Sequence, residues 1–184
     1  MKWKKFYQPD TIYFFTSRIT ENLQILRTDD FKLILVNSLG KYLDKYRVYL
    51  HGYVIMDNYF HLLISAPTAE GVKLCIQQTR SDSSYKISRK LESFLETQFA
   101  SEAQSALQIF AKHANENSYY AVWKEQARGV PISSSTGFKT KLDYIHDNPV
   151  KAKLVSKPLT YHFSSSMTIS QCEPGMLPIK PPVF

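Results

Sequence analysis

Residues 48–64 constrain the fold more tightly than any other stretch of the chain. Two apolar runs, Val48 to Met56 and Phe60 to Ile64, flank Asp57-Asn58, two residues that tolerate turn geometry, and the pattern predicts a β-hairpin. Side chains alternate across a strand, so Tyr59 and His61 fall on one face of the second arm and Phe60 and Leu62 on the other. Upstream, Ile12 to Ile19 is rich in β-branched and aromatic residues and reads as a further strand. Between them, Phe31, Leu35, Leu39, Tyr42, Leu43 and Tyr46 recur at helical spacing, which predicts a helix from Asp29 to about Tyr46 capped by Thr28 or Asp29.

After Pro67 a helical region begins near Glu70, with an interruption expected at Ser81-Asp82-Ser83-Ser84 before it resumes toward Leu95 on the stripe Ile87, Leu91, Leu95. Residues 96 to 117 suggest another helix, and Tyr119 to Trp123 a short strand. Gly129-Val130-Pro131-Ile132-Ser133-Ser134-Ser135 has the composition of a loop. Phe138, Leu142 and Ile145 then mark a helix from Thr136 to Asp147, expected to stop at Asn148 because Pro149 disfavours helical geometry in the residue before it. Strands with helices between them place the chain in the α+β class. Its length and 43% apolar content suit one domain over residues 1–166, with a Pro-rich tail over 167–184, either docked on the body or disordered.

A net charge of +7 favours a polyanionic partner such as DNA. Lys86, Arg89 and Lys90 lie on one helix edge and offer a cationic surface to a phosphate backbone, and Lys141 adds a further cation on the late helix. Cys75 and Cys172 lack metal-type spacing and read as reduced thiols. The N-terminus does not resemble a signal peptide and no run of about 18 apolar residues is present, so the expectation is a cytoplasmic protein without a membrane partner.

On the late helix Tyr144 and Asn148 are four residues apart and share a face, while Phe138, Leu142 and Ile145 point elsewhere, so the tyrosine is expected to be presented rather than packed. A phenol is a poor nucleophile at neutral pH, and turning it on a phosphodiester requires a nearby cation. The oxygen of Asn148 is suited to help hold such a cation, and His61 to ligate it from the hairpin. Singly, each of these residues has an ordinary structural explanation; the combination is what carries weight.

The segment Tyr53-Val54-Ile55-Met56-Asp57-Asn58-Tyr59-Phe60-His61-Leu62-Leu63-Ile64 resembles the hairpin of the REP-associated tyrosine transposases, a branch of the single-tyrosine HUH transposases, which usually read Tyr-Val-Ile-Met-Pro-Asn-His-Val-His-Leu-Leu-Ile. The resemblance continues at Val122-Trp123-Lys124-Glu125, at Tyr144-Ile145-His146-Asp147-Asn148-Pro149-Val150 and at Tyr161-His162-Phe163-Ser164-Ser165. It implies a ferredoxin-like antiparallel β-sheet flanked by α-helices, a divalent metal (Mg or Mn), and cleavage and rejoining of single-stranded or hairpin DNA through a 5′-phosphotyrosine intermediate. Carried over by position, Tyr144 is the nucleophile, His61 the second histidine of the metal pair and Asn148 a third ligand. Trp123 and Glu125 become candidates for DNA or core contacts.

The chain departs from the pattern at two positions: Tyr59 stands where the first histidine is expected, and Asp57 where the proline is. A neutral phenol is a weak ligand for a hard divalent ion, whereas the Asp57 carboxylate is suited to replace the missing ligand with a preference for Mg or Mn. Two expectations of different class follow: a metal-dependent strand transferase, or a cleavage-impaired descendant that binds DNA.

Overall fold

The computed structural model describes residues 7–114, 119–124, 127–171 and 173–183. Its framework is four strands, β1 (Ile12–Arg18), β2 (Tyr49–Ile55), β3 (Tyr59–Ser65) and β4 (Arg128–Ile132), in the order β2-β3-β1-β4 with every neighbouring pair antiparallel. Because β1 and β2 both pair with β3, they run parallel to each other and are joined by α1 (Asp29–Lys45). By the same logic β3 and β4 are parallel, joined through α2 (Ala69–Glu92) and α3 (Ala100–Lys112). Two interleaved split β-α-β units give the ferredoxin-like arrangement that the family resemblance implied, within the α+β class that the pattern of strands and helices led one to expect.

Such crossovers have one hand and send their helices to one side of the sheet. α1 lies along α2, with Ser38 Oγ donating to Asp82 Oδ2 at 2.6 Å. This layer covers the face that carries Phe60, whose ring meets Trp123 edge-on at 5.2 Å while Trp123 Nε1 donates to Ser83 Oγ of α2. The opposite face, carrying His61 and Leu63, is left for α4 (Ser135–Lys151). Gly52 makes that packing possible: a Cβ there would sit 2.7 Å from Leu142 Cδ1 and 3.2 Å from Ile145 Cδ1 of α4.

Several elements differ from the sequence-based expectation. α2 runs unbroken through residues 81–84, where serine hydroxyls find acceptors without breaking the helix (Ser83 Oγ the Arg80 carbonyl one turn back, Ser84 Oγ the Tyr120 carbonyl across the packing). Tyr119 to Trp123 forms no strand, only a single bridge between Ile19 and Trp123. The expected loop at 129–135 instead contains β4, an edge strand, where the missing N–H of Pro131 is tolerated. α4 begins on a Ser134 cap, whose hydroxyl accepts from the Gly137 N–H at 3.1 Å, and continues past Asn148 through Pro149 to Lys151. Pro149 removes one backbone donor, and in the adjacent turn the Asn148 carboxamide supplies another, donating from Nδ2 to the Tyr144 carbonyl at 2.6 Å.

The chain covers its own β2 edge. The Ile55 N–H reaches the Phe163 carbonyl, the Ser165 N–H the Tyr53 carbonyl and the Lys180 N–H the Leu50 carbonyl, all at 2.8–3.0 Å. The short α5 (Ser166–Gln171) follows, and Leu177 is buried beside Gly40. The tail is therefore docked over its described residues, with its anchor at His51, whose Nδ1 shares a hydrogen bond with the Lys180 carbonyl. Among the described residues, no helix is long and apolar enough to cross a membrane.

Candidate active site and nucleic-acid face

The site lies where β1 and β3 meet α4. The register sets Thr16 opposite His61 and Arg18 opposite Tyr59, so these four side chains share the α4 face with Phe14. His61 is buried, its Nδ1 shares a 2.8 Å hydrogen bond with Thr16 Oγ1, and Phe14 stacks on its ring at 5.0 Å. Burial pushes the imidazole down to about 4, and the positive charges of Arg18 and Lys141 act in the same direction. At neutral pH the ring is uncharged, with Nδ1 engaged by Thr16 and a backbone hydrogen bond to Phe15 beside it.

From the other side α4 presents Lys141, Tyr144, Asn148 and Lys151, spaced i, i+3, i+7 and i+10 and hence on one stripe. Tyr144 is 43% exposed, with its ring 5.5 Å from that of His61 and 6.1 Å from that of Phe14. The tyrosine is presented, on the same side of the sheet as the strand histidine. Lys141 Nζ sits 4.9 Å from the Phe14 ring and 5.7 Å from the Tyr144 ring, and Lys151 Nζ is 5.7 Å from Tyr144. Arg18 lies over the Tyr59 ring at 5.1 Å. Tyr144, His61, Asn148 and Lys141 are thus brought together on one face of the sheet.

Tyr59 joins them differently from a ligand. Its hydroxyl donates to Asn148 Oδ1 at 2.7 Å, and because Asn148 Nδ2 is committed to the Tyr144 carbonyl, the carboxamide is held at both ends. Burial, with the neighbouring Tyr144, raises the Tyr59 hydroxyl above the usual phenol range and keeps it a proton donor. The Asp57 carboxylate, the expected substitute ligand, is turned to α1, where Lys32 Nζ holds it at 3.1 Å in a largely buried pair. The hairpin turn breaks the strict alternation that would have set Asp57 beside Tyr59.

The donors at hand for a metal are one imidazole, a carboxamide oxygen already accepting a hydrogen bond, and a protonated phenol. Among the described residues no group of three or more His, Cys, Asp or Glu side chains is placed to hold an ion. A hard divalent cation needs several oxygen donors, preferably anionic, so this set does not fit Mg or Mn.

The other expected DNA contacts are placed elsewhere. Trp123 is 6% exposed and packed between Phe60 and Ser83, a core residue rather than a stacking platform. Glu125 lies outside the described residues. Lys86 pairs with Asp82 at 2.6 Å, Arg89 with Glu92 at 2.6 Å and Lys90 with Asp30 at 2.8 Å, all on the α1/α2 side of the sheet. Sequence reasoning missed Arg18, Thr16, Phe14 and Lys151. The strand register supplies the signal for the first three, and the helical stripe through Tyr144 for the last.

The family model for IS200-like transposases matches residues 11–127, more than half of the chain. The chain belongs to the IS200-like transposase family. The matched span of this family member takes in β1 to β3 with α1 to α3, and ends before α4. Among solved structures, a REP-associated tyrosine transposase bound to a REP hairpin superposes with a TM-score of 0.66 at 13% identity, over 100% of this chain and 94% of that one. That likeness establishes a shared fold. A protein from Deinococcus radiodurans R1 described as a transposase gives a TM-score of 0.48 at 16% identity, over 80% of this chain and 97% of that one. No curated protein matches the chain.

Proposed function

We propose that this family member binds single-stranded or hairpin DNA on its α4 face, as a descendant in which metal-dependent cleavage is impaired. The observation that carries this reading is the 2.7 Å hydrogen bond from the Tyr59 hydroxyl to Asn148 Oδ1, which engages two of the three positions from which the resemblance would draw ligands. Support for DNA as partner comes from the family, from the hairpin-bound transposase with the same fold, and from the net charge of +7. The reading treats residues 1–166 as one DNA-binding domain with 167–184 as its tail, and a DNA partner makes the cytoplasm its place of action.

A specific observation favours a second reading, in which strand transfer persists. Tyr144 is exposed and flanked by Lys141 and Lys151. In that chemistry its phenolic oxygen bonds to phosphorus after losing its proton to solvent, and the 3′ oxygen leaves and takes up a proton. The product is a 5′-phosphotyrosine link and a free 3′-hydroxyl. Incubation of the protein with a labelled DNA hairpin and Mn, followed by denaturing electrophoresis, separates the two. Salt-sensitive binding without a covalent adduct is the expected result. An adduct that disappears in Tyr144→Phe overturns it in favour of the transferase.

A further inference from the structure

Among the described residues some cations are paired with acids and others, including Lys45, Arg80 and Lys180, are not. Lys32, Lys73, Lys86, Arg89, Lys90 and Lys139 each lie within 4 Å of a carboxylate. Arg18 and Lys141 have no carboxylate partner among the described residues, and both converge on the site. Each rests instead against aromatic rings, Arg18 on Tyr59 and Lys141 on Phe14 and Tyr144. The Phe14 and Tyr59 rings each stand 5.0 Å from that of His61, and the Tyr144 ring 5.5 Å from it. A cation laid along an aromatic face keeps its hydrogen-bond donors free and its position defined. The groups between the two cations are an uncharged imidazole, two phenols and a carboxamide, so the local charge is uncompensated. Lys151 extends this positive edge one turn beyond Asn148, partly offset by Asp147 at 3.6 Å.

Resting on the DNA-binding reading, we propose that Arg18 and Lys141 form a phosphate cradle that holds the backbone of single-stranded DNA over Tyr144 without any divalent cation. The guanidinium of Arg18 offers a planar pair of N–H donors suited to two phosphate oxygens, and the Lys141 ammonium supplies a point charge from the helix side. The two cations stand in place of the charge that a metal would otherwise bring to the phosphate, and Tyr59, locked on Asn148, forms the floor between them. Binding then depends on these side chains and on salt, and is indifferent to a chelator.

The test measures affinity for a fluorescent DNA hairpin carrying a single-stranded flank, by anisotropy over a salt series. It compares excess EDTA with added Mn, using the full chain, Arg18→Gln, Lys141→Gln and, for contrast, Lys86→Gln. The expected result is wild-type affinity that agrees within about twofold between EDTA and Mn. Arg18→Gln and Lys141→Gln each weaken binding about tenfold at low salt, and each lowers the slope of log K against log salt by about 0.7, a change that loss of fold alone does not produce. Lys86→Gln stays within about twofold, and thermal melting confirms that the variants fold. Binding that appears only with Mn overturns the cradle and leaves the DNA reading standing. The same holds for affinity and slope that neither substitution changes. No binding under any condition overturns both.

Discussion

The two faces of the sheet are built from similar residues and put to different uses. On the α1/α2 face aromatic rings are sealed, as with Phe60 and Trp123, and Lys86, Arg89 and Lys90 of α2 are neutralised by Asp82, Glu92 and Asp30. On the α4 face a tyrosine stands half in solvent, a histidine is held neutral, and two cations lie unpaired on aromatic rings. The first arrangement lowers the energy of the folded chain and leaves little field outside it. The second keeps positive charge uncompensated, which costs some stability and leaves an anion-binding surface. Aromatic packing without an acid does not by itself single out the site, since Lys45 lies over Tyr46 and Lys180 over Tyr49 in the same way; what sets Arg18 and Lys141 apart is that they flank His61 and Tyr144.

The largest expected effect that sharpens this contrast is on the sealed face. Phe60→Ala should lower the unfolding free energy by about 3–5 kcal/mol in urea denaturation, because the ring is fully buried against Trp123. A loss below about 1 kcal/mol would remove the distinction between the faces. Acid comes next, and it should act from the α4 side. Burial holds both His61 and His146 down to about 4, so each ring is neutral when folded and takes up a proton below about 6.5 when unfolded. Their stabilising contribution is present above pH ~6.5 and is lost as pH falls toward about 4, on the order of 2–4 kcal/mol for each ring. Urea unfolding across that window measures it, and His61→Gln should flatten the dependence.

Smaller effects probe the site itself. Tyr59→Phe removes the donor to Asn148 while leaving the ring in place, and should cost about 0.5–1.5 kcal/mol of stability by thermal or urea melting. An unchanged protein would show that the hydrogen bond does not fix the carboxamide. Lys151→Gln should weaken hairpin binding only about twofold to threefold, less than Arg18→Gln, because Asp147 already offsets part of the charge. Equal losses would place the centre of the binding surface further along α4.

What the sequence revealed depended on whether a signal was local. The hairpin, β1 and α1 follow from alternation and helical spacing, and the stripe Phe138, Leu142, Ile145 leaves Tyr144 exposed, whereas Asn148 on the same face is buried against Tyr59. β4 was hidden because Gly129 and Pro131 look like loop residues. The glycine is required by the Phe15 ring, whose Cζ would be 2.7 Å from any Cβ, and the proline is permitted by the sheet edge. The extra turn of α4 past Asn148 was hidden because a rule about the residue before proline does not see the Asn148 side chain donating back to Tyr144. Asp57 and Trp123 show the same limit: their partners, Lys32 and Ser83, come from distant helices that no local pattern connects. Arg18 became visible only through its register opposite Tyr59.

The claim on which the site's interpretation turns is that the Tyr59 phenol closes the position a metal would need. Titration of Mn into the wild-type protein and into Tyr59→His, followed by the loss of the free-ion electron paramagnetic resonance signal, addresses it without DNA or activity. The expected result is no stoichiometric binding to the wild type and one ion taken up by Tyr59→His, with the gain abolished by His61→Gln. Tight stoichiometric uptake of one ion by the wild-type protein, lost in His61→Gln, would contradict it.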